Sequence, residues 1–512
     1  MERKILEFNA ELLTDNIKIE NVSCEIILPE LQNEDIFLEI SLELSKENYR
    51  LAVEISGGFS LRYLGCNSYW KKEISVSSVR EITSSITGYF EIEPTRASKQ
   101  RYIIVKAIAR DVKIRIFNND NYKVDRNINT FQFWLTQSTW LPKPQDITQS
   151  IELDIYNDRN QSFKIREGLE IKFVSYCFCY FDAHRRNKKI SEQVLAAELS
   201  NFTEKKSEKE LLAEIEFFLM IVSFSERRRI ACYGYRAENT CVDTNDIQEF
   251  VDYYRPSSHI PAEDFNYVYN DILIDGEYFR EFIVQALSNS IKCEFKEYLL
   301  EAIEKIVYRK NISPTGTYLF SIDDYLSYYS ALENLVNGFR DTQNIHFILE
   351  EESCKKFSKD IKKFIGQHSL FADVEGDNSE NERRKNKRKL MYEKISELNR
   401  ISFGTAFRSF CEFYQVDITD LWPLTGKSRE SPVSLSMIRN RIIHGERFEH
   451  KEYEALVFAN INLRWILERC ILRILDWDVE KSRVHHLWLK SEFAHSRWPE
   501  FSTRLSKEKI EF

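Results

Sequence analysis

The chain has 512 residues, enough for two or three domains, each with a full hydrophobic core. Its 43% hydrophobic content excludes wholesale disorder, and 14 Gly with 10 Pro exclude a fibrous or low-complexity class. The net charge of −9 argues against a general coat for nucleic acid. Any polyanion would therefore have to meet a local basic site.

Two features predict a cytoplasmic protein that does not enter a membrane. The longest apolar run, IEFFLMIVSF at 215–224, is about half of the roughly 20 residues that a membrane helix needs. The N-terminal MERKILEFNAELL has charges within its apolar part, unlike a signal peptide. The ten cysteines are scattered, which favours reduced thiols. We expect Cys177 and Cys179 to be buried strand thiols rather than metal ligands.

The first 180 or so residues have the pattern of β-structure. The segments IFLEISLEL (36–44) and DVKIRIF (111–117) alternate apolar and polar residues, with Val112, Ile114 and Ile116 on one face. Further short candidate strands are separated by turns that contain Gly, Asn or Pro. This pattern predicts a β-sandwich or a distorted barrel.

From about residue 190 the hydrophobic period becomes helical. KISEQVLAAELSNF (189–202) and EKELLAEIEFFLMIV (208–222) predict a helical pair near 190–222, and one more strand is expected at 227–238. A Pro-containing passage, 253–265, follows. We place the domain boundary there, between a β-rich domain at 1–265 and a helical domain at 270–512.

Nearly all of the second half predicts helix. The expected helices are 276–289, 293–309, 320–340, 352–366, 385–415 with a break near Gly404, 432–444 and 451–476. In the last of them Leu456, Leu463, Ile466, Cys470 and Ile474 form one apolar stripe, and Arg464, Glu468 and Arg473 fall largely elsewhere. The basic run 383–389 is interpreted as a solvated linker and helix start, with a phosphate-contacting patch as the alternative. The fold class is α+β, a β-sandwich-like domain followed by an all-α bundle.

One short segment, SLSMIRNRIIHGERF at 434–448, concentrates cationic and proton-transfer chemistry. Ser431 and Pro432 are suited to begin a helix, and Gly445 is suited to end it. His444 would then lie in the last turn, where the helix dipole favours an imidazolium ion. Asn440 lies one turn earlier, within reach of orienting the imidazole ring.

These residue types match the needs of metal-free RNA cleavage. Arg439 offers a fixed positive fork for phosphate oxygens. With a polar orienting residue and a His for proton transfer, the segment carries what cleavage needs when the 2′-hydroxyl of the RNA is the nucleophile.

The sequence RNRIIHG resembles the Arg-polar-x3-His motif of HEPN ribonucleases, with Arg439, Asn440 and His444 in its three places. An earlier helix, YLSYYSALENLVNGF (325–339), then a long helix pair, the motif helix and a closing helix resemble the family over about residues 270–500. With the β-rich first half, the order is similar to ApeA-like anti-phage HEPN proteins. The resemblance implies a helical bundle, homodimerisation that brings two motifs together, and endoribonuclease activity.

The resemblance also implies roles for the site residues. His444 would be the general base or acid, Arg439 would stabilise charge on the phosphate, and Asn440 would orient. We add Arg441 and Lys427 as RNA-binding residues. Glu333 is either a partner for Arg439 or Arg441 across the bundle or a surface carboxylate.

The predicted function is a metal-independent endoribonuclease, without a cofactor, that acts on RNA in anti-phage defence by abortive infection. The β-rich domain would sense a phage-derived trigger. The alternative is a non-catalytic RNA- or nucleotide-binding HEPN module regulated by the β-domain.

Two competing signals point to other sites. TGKS at 425–428 imitates the end of a phosphate-binding loop, but Leu421 stands where that loop needs Gly, so only proximity of Lys427 to RNA is retained. His485, His486 and His495 cluster among tryptophans near the C-terminus. Without carboxylate or thiol partners at ligand spacing they favour a packed aromatic tail over a metal site.

Overall fold

The computed structural model describes residues 5–13, 18–27, 36–43, 60–66, 70–87, 102–118, 126–135, 138, 140–141, 162–166, 169–181, 189–200, 208–241, 247–254, 272–307, 322–372, 378–426 and 432–506. The chain divides into two compact units, Met1–Leu287 and Ser288–Phe512. The described part of the first unit is mainly an antiparallel sheet, and that of the second is mostly helical. The fold class is therefore α+β.

The sheet of the first unit contains twelve described strands. They are β1 Ile5–Leu13, β2 Lys18–Ile27, β3 Ile36–Glu43, β4 Ser60–Cys66, β5 Trp70–Thr87, β6 Tyr102–Asn118, β7 Arg126–Leu135, β8 Ser162–Arg166, β9 Leu169–Phe181, β10 Lys189–Ser200, β11 Cys232–Cys241 and β12 Ile247–Tyr254.

The first six strands close into a ring. They pair antiparallel in the order β1-β2-β3-β6-β5-β4, and β4 pairs back to β1. Alternate residues are buried, as in β3, where Ile36, Leu38 and Ile40 are buried while Phe37 is exposed. The predicted β-sandwich-like arrangement is therefore wrong for these six strands, which close into the barrel that was the alternative; a sandwich would need two separate sheets.

The long strand β6 joins this ring to the rest of the sheet. Its first half pairs with β3, and residues 112–117 pair with β12. Close to this change of partner, the register with β5 shifts between Val79 and Glu81. Such a bulge bends a strand pair. The bend allows β6 to pair with the ring along one part and with β12 along the other. The sheet continues through β12-β11-β7-β10-β9-β8.

Of the two helices predicted near 190–222, the first is wrong and the second is confirmed. Lys189–Ser200 is a strand that pairs with β9 along its whole length. Its short apolar pattern fits both the helical and the strand period, so pairing with neighbouring strands determines its secondary structure. Helix α1, Glu208–Glu226, forms as predicted, and its Phe218 ring lies 5.5 Å from both Phe163 and Phe173.

The remaining helices lie in order along the second half. They are α2 Gly276–Lys292, α3 Lys296–Val307, α4 Ile322–Gln343, α5 Glu351–Gln367, α6 Asn378–Ile395, α7 Phe403–Tyr414, α8 Leu435–Ile443, α9 Tyr453–Ile474, α10 His486–Leu489, α11 Phe493–Ser496 and α12 Trp498–Arg504. The expected break near Gly404 lies at a 3-10 turn, Ser396–Asn399. Among the described helices, none is long and apolar enough to cross a membrane.

Helix α9 is buried on more sides than the sequence predicted. The expected apolar stripe is buried throughout, but Arg464 and Glu468 are buried as well. The Arg464 Nε atom lies 3.6 Å from Glu468 Oε1, so the two charges enter the core as a pair. The predicted apolar stripe is confirmed, and the burial of the two charged residues is an addition that the spacing did not predict.

Cysteines of both units are held as neutral thiols. Burial raises the pKa of Cys24 and Cys411 to about 12, and raises that of Cys470 well above its ordinary value. Cys177 and Cys179 lie within β9, as the sequence predicted. Their side chains are outside the described part of the chain.

Candidate active site at the end of helix α8

Helix α8 begins three residues later than predicted. Ser434 occupies the capping position, and Pro432 lies before the helix rather than in its first turn. The backbone of the preceding loop sets this start: Leu435 N–H donates to Pro423 O at 3.0 Å, and Ser436 N–H donates to Leu424 O at 2.9 Å. These bonds use amides that a helix leaves unpaired. The predicted capping residue, Ser431, is outside the described residues.

Two tyrosines of α4 fix the position of α8. Tyr325 Oη donates to the Leu435 carbonyl at 2.8 Å, and Tyr329 Oη lies 2.7 Å from Ser436 Oγ. Burial raises the pKa of both phenols, so they act as neutral hydrogen-bonding groups. These two contacts therefore fix α8 against α4 about one turn before Arg439.

Arg439 contacts α4 one turn further along. Its Nη2 donates to Glu333 Oε2 at 3.4 Å, and its guanidinium carbon lies 5.5 Å from the centre of the Tyr329 ring. Its Nη1 also donates to Asn440 Oδ1 at 3.3 Å. The side chains of Arg439 and Glu333 are both 31% exposed, so a phosphate could reach the guanidinium. Of the two partners considered for Glu333, the structure places Arg439 beside it.

The end of α8 is a Schellman motif. Gly445 N–H donates to Ile442 O and Glu446 N–H donates to Arg441 O, both at 3.0 Å. Gly445 has φ +71°, a left-handed conformation that glycine adopts without steric cost. His444 is thus the C-capping residue. The predicted stop at Gly445 is confirmed, and the motif fixes the backbone on both sides of His444.

The His444 ring is exposed beyond the end of the helix. Among the described residues we find no hydrogen bond to its side chain. Asn440, the predicted orienting residue, bonds to Arg439 instead, and reaches His444 only through its backbone carbonyl. Five helical steps separate Arg439 from His444, so their side chains leave the axis about 140° apart. One helix therefore directs its Arg and its His to different sides.

Arg441 is engaged in internal contacts. Its Nε donates to Glu446 Oε1 at 2.8 Å, Nη2 to Glu452 Oε1 at 3.0 Å and Nη1 to Leu505 O at 3.0 Å. Its guanidinium also covers the ring of Phe448. Because each of its nitrogens already donates a hydrogen bond, these contacts favour an anchor for the end of α8 over an RNA ligand.

The second predicted RNA ligand, Lys427, lies outside the described residues. The chain leading to it passes the start of α7, where Thr425 packs so closely on Gly404 that a side chain at 404 would crowd it. Gly426 follows in a left-handed conformation, φ +89°. The structure therefore describes the chain up to Gly426 but not Lys427.

Sequence reasoning missed a charged cluster under the C-terminal tail. Arg469 makes a bidentate contact with Asp420, at 2.6 and 2.9 Å, and His495 Nε2 lies 3.0 Å from Asp420 Oδ2. Burial raises the pKa of Asp420, but hydrogen bonds from Arg469 and His495 outweigh it and bring the pKa below its ordinary value. The partners lie 49 and 75 positions away, so local spacing gave no signal. Within the described part of the chain, no three His, Cys, Asp or Glu residues gather closely enough to hold a metal ion.

Comparison of the chain with protein-family models, with curated proteins and with solved structures gave no match. The likeness to HEPN ribonucleases therefore rests on the motif residues and on the order of the helices.

Proposed function

We propose that the protein is a metal-independent endoribonuclease of the HEPN type, with its reaction centre around Arg439 and His444. The observation that carries the proposal is the end of α8. There a Schellman motif presents an exposed imidazole, while Glu333 and Tyr329 hold a half-exposed guanidinium one turn below. A fixed phosphate ligand and an accessible proton-transfer group are the two parts that such cleavage requires.

The reaction would use the RNA itself as nucleophile. His444 takes the proton of a 2′-hydroxyl, or delivers a proton to the departing 5′-oxygen, and Arg439 stabilises the extra negative charge on the phosphate. The 2′-oxygen forms a bond to phosphorus as the bond to the 5′-oxygen breaks. The products carry a 2′,3′-cyclic phosphate and a 5′-hydroxyl.

A symmetric dimer would complete this centre. The side chains of Arg439 and His444 leave their helix about 140° apart, so a single copy presents them in divergent directions. Two copies paired by a twofold axis would bring the Arg of one helix towards the His of the other. The resemblance to HEPN proteins supports the same arrangement.

The first unit would regulate the reaction. Its barrel precedes the helical unit, an order similar to ApeA-like anti-phage proteins, and loops at the ends of barrels are common recognition surfaces. We propose that it senses a phage-derived trigger and releases RNA cleavage as abortive infection.

The test is incubation of the purified full-length protein with total RNA in EDTA. Discrete fragments that persist in EDTA support the enzyme. Binding of RNA without fragments, both with and without divalent metal ions, would support a non-catalytic binding module instead. Arg439→Lys should restore little activity relative to Arg439→Ala, because a point charge does not reproduce the guanidinium fork. An Arg439→Ala/His444→Ala double variant should be little worse than either single variant if the two groups act as one unit.

A further inference from the structure

A groove of about 800 Å³ lies along α5, and none of its lining residues belongs to the motif. Its lining includes Phe347 and Leu349 from the segment after α4, Asn399 from the turn before α7, and the α5 residues Lys355, Lys359 and Lys362. Its volume falls within the range of about 300–1,000 Å³ that is usual for ligand clefts. It has room for a base and its sugar.

Backbone pairing makes the floor of the groove rigid. Ile348 N–H donates to Asn399 O at 2.8 Å, and Ile401 N–H donates to His346 O at 3.1 Å. The Asn399 side chain bridges the same two segments, since it accepts from Leu349 N–H at 2.8 Å and donates to Leu349 O at 3.0 Å. The ring of Phe347 is thus held on a short β-ladder, yet it remains 60% exposed.

The charge of the groove selects an anion. Lys355, Lys359 and Lys362 fall on one face of α5, and Glu351, which also lines the groove, forms an ion pair with Lys355. Lys359 has no ion pair or hydrogen bond within the described part of the chain. The Lys362 ammonium lies 5.8 Å from the centre of the Tyr392 ring. The three lysines advance along the helix in steps of about 6 and 4.5 Å, comparable to successive phosphates of an extended strand.

We propose that this groove binds single-stranded RNA, with one base stacked on Phe347 and neighbouring phosphates on the three lysines. An exposed aromatic ring beside a basic track is the recurrent solution for single strands. The inference rests on the proposed function, because the strand would be the substrate on its way to Arg439. Glu333, which contacts Arg439, lies about 15 Å along α4 from its end at Gln343. The groove begins a few residues beyond that end, within reach of a short stretch of RNA.

The test measures binding without cleavage, in the full-length chain carrying His444→Ala. The probe is a fluorescently labelled 12-nucleotide oligouridylate, titrated at several salt concentrations by fluorescence anisotropy. Adding Lys359→Ala and Lys362→Ala should lower the slope of log K against log salt by about 1.4, the value for two lost contacts with a single strand. Adding Phe347→Ala instead should weaken binding about 5- to 150-fold and leave the salt slope unchanged.

Lys356 and Lys363 provide the matched control. They lie on the same helix about 90° away from the groove face, are exposed, and do not line the groove. The Lys356→Ala/Lys363→Ala variant should keep both affinity and salt slope. If both double-lysine variants lost affinity and salt slope equally, the effect would be diffuse electrostatics, and the proposal would be overturned.

Other outcomes would also overturn the proposal. They are no binding by the parent chain at 50 mM salt, unchanged binding after Phe347→Ala, or tighter binding of a labelled oligoglutamate than of the oligouridylate. Because the readout needs no turnover, an inactive enzyme would not obscure it. Conversely, failure of the groove to bind would leave the cleavage assay above unaffected.

Discussion

Arg439 and Arg441 stand two residues apart on one helix, and their contacts predict opposite consequences of the same substitution. Arg441→Ala removes a side chain that is only 13% exposed and donates to two carboxylates and one carbonyl. It leaves Glu452, itself 11% exposed, without this partner. Arg439→Ala removes one 3.4 Å ion pair between side chains that are both 31% exposed.

The magnitudes follow from these exposures. Removing one partner of a buried pair costs about 3–5 kcal/mol, and the residual exposure of Arg441 and Glu452 favours the lower end, about 3 kcal/mol. A half-exposed pair contributes about 1 kcal/mol or less. For a unit of this size, 1 kcal/mol shifts the melting temperature by about 2–4 °C. We therefore expect Arg441→Ala to melt about 6–12 °C below the wild type and Arg439→Ala within about 4 °C.

Tryptophan fluorescence during thermal unfolding is the appropriate assay, because five of the eight tryptophans lie in the unit Ser288–Phe512. RNA cleavage is measured in parallel, well below both transitions. Arg439→Ala should lose about 10²- to 10³-fold in rate, whereas folded Arg441→Ala should cleave nearly as fast as the wild type. An Arg441→Ala variant that melts with the wild type and loses cleavage would instead make Arg441 an RNA ligand.

Three further outcomes are expected. Gly445→Ala should cost about 1–2 kcal/mol, seen as a lower melting temperature, because alanine is strained at φ +71°; an unchanged transition would contradict the Schellman ending. The pKa of Asp420 lies below its unfolded value, so its stabilisation is present above that value and is lost as pH falls through the folded pKa. Wild-type protein should therefore lose stability below about pH 4 more steeply than Asp420→Asn, and parallel melting curves from pH 6 to pH 3 would argue against the contact. Light scattering of the full-length protein should give about twice 60.9 kDa, and a monomer at micromolar concentration would oppose a shared site.

The helices of the second half were readable from the sequence because their apolar residues recur at helical spacing over several turns. Glycine at 445 also marked an end that depends on local backbone geometry alone. The strand at 189–200 was not readable, since its short apolar pattern fits both periods and its partners lie elsewhere in the chain. The burial of Arg464 and Glu468 was not predicted for a similar reason. A charge pattern in the sequence does not reveal that two charges pair inside a core.

The candidate site shows the same division between local and distant information. The positions of Arg439 and His444 on α8 follow from spacing, and the predicted contact of Glu333 with one of the two arginines is present. The internal contacts of Arg441 depend on Glu452 and on the Leu505 carbonyl, which lie later in the sequence. Spacing along one helix carries no information about such contacts.

Metal-free cleavage through His444 is tested by comparing the wild type with a single variant. Full-length wild type and His444→Ala are incubated with a 5′-labelled RNA in EDTA, and rates and product ends are determined. His444 is exposed at a helix end, so its truncation should leave the melting temperature nearly unchanged. We expect wild-type products with a 2′,3′-cyclic phosphate and a 5′-hydroxyl, and a rate about 10²- to 10⁴-fold lower for His444→Ala. Equal rates for the two proteins, or wild-type cleavage that disappears in EDTA, would contradict it.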